Sequence, residues 1–157
     1  MILPLHSRNL FHTGYAVRDA DKAIETFADK FGVGYWKVVP LPEESGGRAL
    51  AFAYAGDMMI EVIDTVPGGV PIYSDWIPED ETALRIHHLG HFADDREDFD
   101  AVARRFEAIG VPMVMDEEMG DILWYRYFDT VALLGHYTEF VLMKPGGEAF
   151  WADVPRN

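Results

Sequence analysis

Apolar positions along the chain fall into two kinds of pattern that alternate in order. Residues 10–17 form a short apolar run, which predicts a strand. Over residues 20–31, Ile24, Phe27, Ala28 and Phe31 recur at the spacing of one helical face. Asp19 is placed to cap the start of that helix and Gly32 to end it. Three further apolar stretches follow at Tyr35–Val39, Arg48–Ala55 and Met58–Ile63, with Gly46-Gly47 and Gly56-Asp57 between them as turns. The predicted order is β-α-β-β-β.

The same order returns in the second half. Residues 84–92 read as a strand, and Asp94-Asp95-Arg96-Glu97 opens a helix, with Asp94 three positions before Glu97 as a capping box. Phe99, Val102, Ala103 and Phe106 supply the helical stripe, Gly110 ends it, and strands follow near 112–116, 122–129 and 136–143. The repeat is also visible residue by residue. Phe11-His12-Thr13-Gly14 through Asp19 aligns with His87-His88-Leu89-Gly90 through Asp95 at an offset of 76. Gly32 then matches Gly110, and Glu61 matches Glu139, at an offset of 78, so two residues are inserted near the second helix.

This pattern divides the chain into a first βαβββ module at 9–64, a connector at 65–83, a second module at 84–144 and a tail at 145–157. A length of 157 residues suits one domain with its own core. The connector holds Pro67-Gly68-Gly69, Tyr73 and Trp76, and Trp76 is a candidate for lining a pocket. Phe150 and Trp151 in the tail predict docking on the body of the protein or on a partner chain.

The repeat gives the chemistry its first clue. It pairs His12 with His88 and Glu61 with Glu139, each at an equivalent strand position. Both glutamates sit in strongly apolar strands, Met59-Ile60-Glu61-Val62-Ile63 and Tyr137-Thr138-Glu139-Phe140-Val141. A buried carboxylate is costly unless it is paired or metal-bound. Two like modules related by approximate two-fold symmetry would bring the two histidines and two glutamates to one point. Such a set suits one divalent ion, Zn, Ni, Co, Mn or Fe, with up to two open positions. His87, His91 and His136 have the opposite strand parity, and His6 precedes the first strand. Among these His87 is the strongest substitute, because a bulge would exchange it for His88.

Composition narrows the function. The formal net charge of -14 excludes nucleic acid as a partner and disfavours an anionic membrane surface. The absence of cysteine rules out disulfides, zinc ribbons and thiol catalysis. Met1–Arg8 has no long apolar stretch after a basic start, and no run approaches a membrane span, so a soluble cytoplasmic protein is expected. Arg48 and Arg126 lie within predicted strands. Arg126, among Trp124, Tyr125, Tyr127 and Phe128, is a candidate contact for a substrate carboxylate.

Together these segments resemble the vicinal oxygen chelate superfamily, also called the glyoxalase/bleomycin resistance/dioxygenase superfamily. The resemblance is carried by four segments in order. They are Phe11-His12-Thr13-Gly14-Tyr15-Ala16-Val17 with its helix, Ile60-Glu61-Val62-Ile63, Ile86-His87-His88-Leu89-Gly90, and Tyr127-Phe128-Asp129-Thr130 through Leu134-Gly135-His136-Tyr137-Thr138-Glu139. It implies an α+β fold of two tandem βαβββ modules forming an open barrel-like cup around a metal site. The family's four ligand positions fall on His12, Glu61, His88 and Glu139. The set resembles that of bacterial glyoxalase I. Methylmalonyl-CoA epimerases are similar but usually carry Gln at the position of Glu61. The resemblance implies a small-molecule substrate whose adjacent oxygens chelate the metal, with Glu139 or Glu61 moving a proton at carbon through an enediolate or enolate. It also implies a homodimer.

Two other readings share the fold. An Fe(II) ring-cleaving dioxygenase of extradiol type would use His12, His88 and Glu139, and Glu61 would then crowd the site. A metal-free, drug-sequestering binding protein would tend to lose the ligand residues, and none is lost here.

Overall fold

The structure, a computed structural model, describes residues 9–157. Met1–Arg8, on which the expected lack of a leader and the placing of His6 rest, lie outside the described residues. The elements are β1 (Leu10–Val17), α1 (Ala20–Phe31), β2 (Lys37–Pro40), β3 (Gly47–Ala55), β4 (Met58–Thr65), α2 (Pro71–Ser74), β5 (Arg85–Phe92), α3 (Arg96–Ala108), β6 (Met113–Met119), β7 (Leu123–Phe128), α4 (Val131–Leu134), β8 (Tyr137–Met143) and α5 (Gly147–Ala152). The fold is α+β, and the βαβββ order occurs twice. The chain forms two compact units. Of the described residues, the first comprises 12–87 with 153–157, and the second 88–152 with 9–11. The connector therefore belongs with the first module, and the end of the tail returns to it.

In the first unit the strands lie in the order β2-β3-β4-β1, with β1 parallel to β4 and the other pairs antiparallel. A parallel pair needs a crossover, and α1 supplies part of it. Side chains alternate across the sheet. Tyr15, Val17, Ala51, Ala53, Ile60 and Val62 pack toward α1, whose Ala20, Ala23 and Phe27 complete the core. The next residues along, His12, Phe52 and Glu61, share the opposite face. Asp19 caps α1 by accepting from the Lys22 amide, and Gly32 ends it at φ 73°.

Phe31, expected on the buried stripe, is instead 66% exposed. The buried face runs through Ala20, Ala23 and Phe27. Trp36 packs against this core, its ring 5.2 Å from that of Phe27.

The second unit repeats the plan as β6-β7-β8-β5, with β5 parallel to β8. Phe99, Val102 and Phe106 of α3 pack on Phe128, Phe140 and Leu142. The Phe106 and Phe128 rings stack at 4.2 Å. Burying each such ring contributes about 1.5–3 kcal/mol. The N-cap of α3 is Asp95, one residue later than the predicted Asp94. Asp95 accepts from the Asp98 amide, and Asp98 accepts from the Asp94 amide. Asp94 is displaced from the cap because it accepts from the Asn9 side chain at 2.8 Å.

β6 is longer than expected. Its run Asp116-Glu117-Glu118 has no apolar alternation, but pairing with β7 holds it as a strand. Lys144, beside Glu118 at 2.5 Å, and Arg126, beside Asp116 at 3.1 Å, offset its charge.

Candidate metal centre

Parallel pairing places each histidine–glutamate pair in the same way. In β1 and β4, His12 lies opposite Met59 and Gly14 opposite Glu61. In β5 and β8, His88 lies opposite Tyr137 and Gly90 opposite Glu139. The residue paired with each glutamate on the parallel strand is thus a glycine, which brings no side chain of its own to that face. His12 Nε2 is 3.4 Å from Glu61 Oε2, and His88 Nε2 is 3.5 Å from Glu139 Oε2. His12, His88 and Glu139 are buried, and the Glu61 side chain is 12% exposed.

These separations suit metal ligation. Two donor atoms each about 2.1 Å from one ion, at tetrahedral or octahedral angles, stand about 3.0–3.4 Å apart. The donors are imidazole nitrogen and carboxylate oxygen, the borderline set that binds Zn, Ni, Co, Mn and Fe(II).

The neighbourhood of His88 contains a residue that the patterning missed. Tyr127, 2% exposed, faces Glu139 in the antiparallel β7–β8 pair. Its hydroxyl lies 3.5 Å from His88 Nδ1, and the two rings meet edge to face at 5.0 Å. A partner on the remote nitrogen fixes the tautomer that leaves Nε2 available to a metal. The signal was present: a hairpin joining 122–129 to 136–143 brings Tyr127 across from Glu139. Tyr125 continues the same face, 5.9 Å from Tyr127 ring to ring.

The remaining histidines follow strand parity. His91 stacks on Phe140 at 5.1 Å, on the α3 side. His87 is fully buried, its Nε2 2.9 Å from the Ile72 carbonyl and its ring against Tyr73 and Trp76. His136 Nδ1 lies 2.7 Å from the Tyr137 carbonyl.

Arg126 and Trp76 stand elsewhere than beside the glutamates. Arg126 lies opposite Phe140 in the β7–β8 register, so it shares the α3 face and not that of Glu139. Its guanidinium donates to Asp100 at 2.9 Å and to the Phe99 carbonyl, pairs with Asp116, and lies 4.1 Å over the Phe99 ring. Burial pulls its pKa down, but hydrogen bonds to Asp116 and Asp100 outweigh this and the net direction is upward. Trp76 donates from Nε1 to the Ile86 carbonyl at 2.7 Å and carries Arg85 over its ring at 4.0 Å. It ties the connector to the start of β5. Arg48 turns to Asp64, 3.4 Å away, and to the Arg18 and Thr65 carbonyls.

With this geometry in hand, the chain can be placed among known proteins. The model of the Glyoxalase/Bleomycin resistance protein/Dioxygenase superfamily matches residues 11–125. The chain belongs to this superfamily. Among solved structures it is similar to a methylmalonyl-CoA epimerase from Mycobacterium tuberculosis, at 23% identity and TM-score 0.63, covering 95% of this chain and 96% of that one. A Streptomyces coelicolor methylmalonyl-CoA epimerase variant in complex with 2-nitronate-propionyl-CoA gives 18% identity and TM-score 0.63, with 87% and 97% covered. A hypothetical protein from Bacillus halodurans C-125 gives 17% identity and TM-score 0.65, with 88% and 96% covered. At these identities the likeness establishes the shared fold. No curated protein matches the chain. No helix among the described residues is long and apolar enough to cross a membrane.

Proposed function

We propose that this superfamily member is a divalent-metal-dependent isomerase of the epimerase or glyoxalase type, acting on a small molecule with two adjacent oxygens. The observation that carries the reading is the duplicated His–Glu pair, 3.4 Å in one unit and 3.5 Å in the other, in the same strand register. His12 and Glu61 in one unit, and His88 and Glu139 in the other, would each offer a divalent ion an imidazole nitrogen and a carboxylate oxygen. When bound, the ion supplies Lewis-acid polarisation of the substrate's oxygens. The histidines would hold it through Nε2, and Tyr127, at His88 Nδ1, would orient that ring. The apolar strands around each glutamate exclude water. A glutamate in such surroundings removes the proton from the carbon next to the polarised carbonyl and returns it to one face. Glu139, buried within β8, is assigned this role first, and Glu61 serves as its counterpart.

The fourth ligand favours this reading over ring cleavage. A dioxygenase needs two histidines, one carboxylate and open positions for oxygen. Glu61, 3.4 Å from His12, would take one of those positions if it bound the ion.

The test is solvent exchange. Metal-loaded protein is incubated in deuterated water with methylmalonyl-CoA and with a series of α-hydroxy ketones and thiol hemiacetals of α-keto aldehydes. Mass spectrometry then reads deuterium at the carbon next to the carbonyl. Deuterium uptake by at least one compound, lost in Glu139→Gln while the circular dichroism spectrum is unchanged, is the expected result. No uptake in the whole series, or full uptake in Glu139→Gln, would overturn it.

A further inference from the structure

The last five residues form an addition to the first unit's sheet that the proposed chemistry does not use. Tyr54 donates from its amide to the Pro155 carbonyl at 2.8 Å, and the Asn157 amide donates to the Tyr54 carbonyl at 3.0 Å. The tail thereby pairs with β3 as a short parallel bridge between Tyr54 and Arg156. The Asn157 side chain locks it. Its Oδ1 accepts from the Gly34 and Tyr35 amides at 2.9 and 2.8 Å, and its Nδ2 donates to the Tyr35 and Tyr54 carbonyls, each at 3.1 Å. Four side-chain hydrogen bonds from one residue hold the chain end in a single register. Each contributes about 0.5–1.5 kcal/mol in general.

What this lock presents is Arg156. Its guanidinium lies 4.1 Å over the Tyr54 ring and is exposed. Tyr54 is opposite Met59 in β4, and Met59 is opposite His12 in β1. Tyr54, Met59 and His12 therefore form one row across the sheet, on the face that carries Glu61 and away from α1. Two strand spacings, about 10 Å, separate Tyr54 from His12.

The neighbouring cations are already paired. Lys37, opposite Phe52, has Asp153 at 4.0 Å, and Arg48 is turned to Asp64. Among the described residues Arg156 has no carboxylate partner. A stacked guanidinium keeps its fork of donors directed at a planar oxyanion.

We infer that Arg156 is an anion-reading residue of the His12–Glu61 half of the site, and that the substrate carries a terminal carboxylate about 10 Å from its metal-chelating oxygens. Asn157 is the positioning residue that holds it there. The inference rests on the proposed metal chemistry, so its test must separate the two.

The test uses cobalt-loaded protein, with cobalt content measured first. Two hydroxamates of equal chain length supply the chelating oxygens: suberic acid monohydroxamate, with a terminal carboxylate, and octanohydroxamate, without one. Affinities are read from the cobalt absorption band. The carboxylate compound is expected to bind at least about 10-fold tighter. Arg156→Gln is expected to erase that margin and leave octanohydroxamate affinity unchanged. Asn157→Ala is expected to reduce the margin in part, and added salt to narrow it. Equal affinities in the wild-type protein, or a margin that survives Arg156→Gln, would overturn the inference and leave the metal reading standing. Failure to bind cobalt would overturn both.

Discussion

The two βαβββ modules are built to one plan and differ where single polar groups are buried. Both place a histidine on the first strand, a glycine two residues on, and a glutamate opposite that glycine on the last strand. Both begin the helix with an aspartate cap, Asp19 and Asp95. Beside the glutamate, however, the first module has Phe52 and the second Tyr127. On the helix side the first module buries Asp64, and the second has Leu142 at the repeat-equivalent position. The duplicated features are those that a symmetric metal site needs. The unequal ones give the halves different tasks: an oriented histidine in the second, and a buried carboxylate bonded to the start of α1 in the first.

The largest effect expected on this comparison breaks one core and spares the other. Phe106→Ala removes a ring from the stack with Phe128 and is expected to destabilise by about 3–5 kcal/mol. Hydrogen exchange should lose protection over 88–152 before 12–87. Equal loss in both would show that the units unfold as one.

The next effect is smaller and specific to the site. Tyr127→Phe turns the second half into a copy of the first at this position. It is expected to weaken metal affinity about 10–100-fold with little change in melting temperature. Competition with a metal-sensitive dye measures it. An unchanged affinity would remove Tyr127 from the site.

The smallest effect concerns Asp64. Burial raises its pKa, with the Ala20 amide and Arg48 opposing the shift. The folded protein thus holds this proton at pH values where the unfolded chain has released it. More protons are bound when folded, so stability falls as pH rises from the ordinary carboxylate value of 3.8 through the raised one. Urea denaturation across mildly acidic pH should show that slope, and Asp64→Asn should flatten it. Leu142→Ala in the second module should leave the slope as it was. A slope of the same size in Asp64→Asn would assign it to other groups.

Much of this was legible in the sequence, and the rest was not for definable reasons. The helix at 20–31, the strand at 10–17 and the matching of His12 with His88 and of Glu61 with Glu139 followed from period and repeat. These are local signals reinforced by duplication. The cap of α3 moved by one residue because Asp94 found Asn9, 85 positions away in sequence. Arg126 reads as a site residue from its aromatic neighbours, yet strand parity sets it with Asp100 and Asp116. The tail's path depends on Asn157 meeting the Gly34 and Tyr35 amides, more than 120 positions away. No periodicity encodes partners so distant. Tyr127 lies between these cases, since its place follows from the β7–β8 register once that hairpin is drawn.

The most direct measurement is the metal content of gently purified, untagged protein by elemental mass spectrometry, beside a His12→Ala/Glu139→Ala variant that keeps its circular dichroism spectrum. That variant removes one proposed ligand from each half. About one divalent ion per assembled site in the wild type, absent from the variant, is the result expected if the two His–Glu pairs share an ion. No ion in the wild type, and none taken up from nickel, cobalt, zinc, manganese or iron solutions, would contradict it.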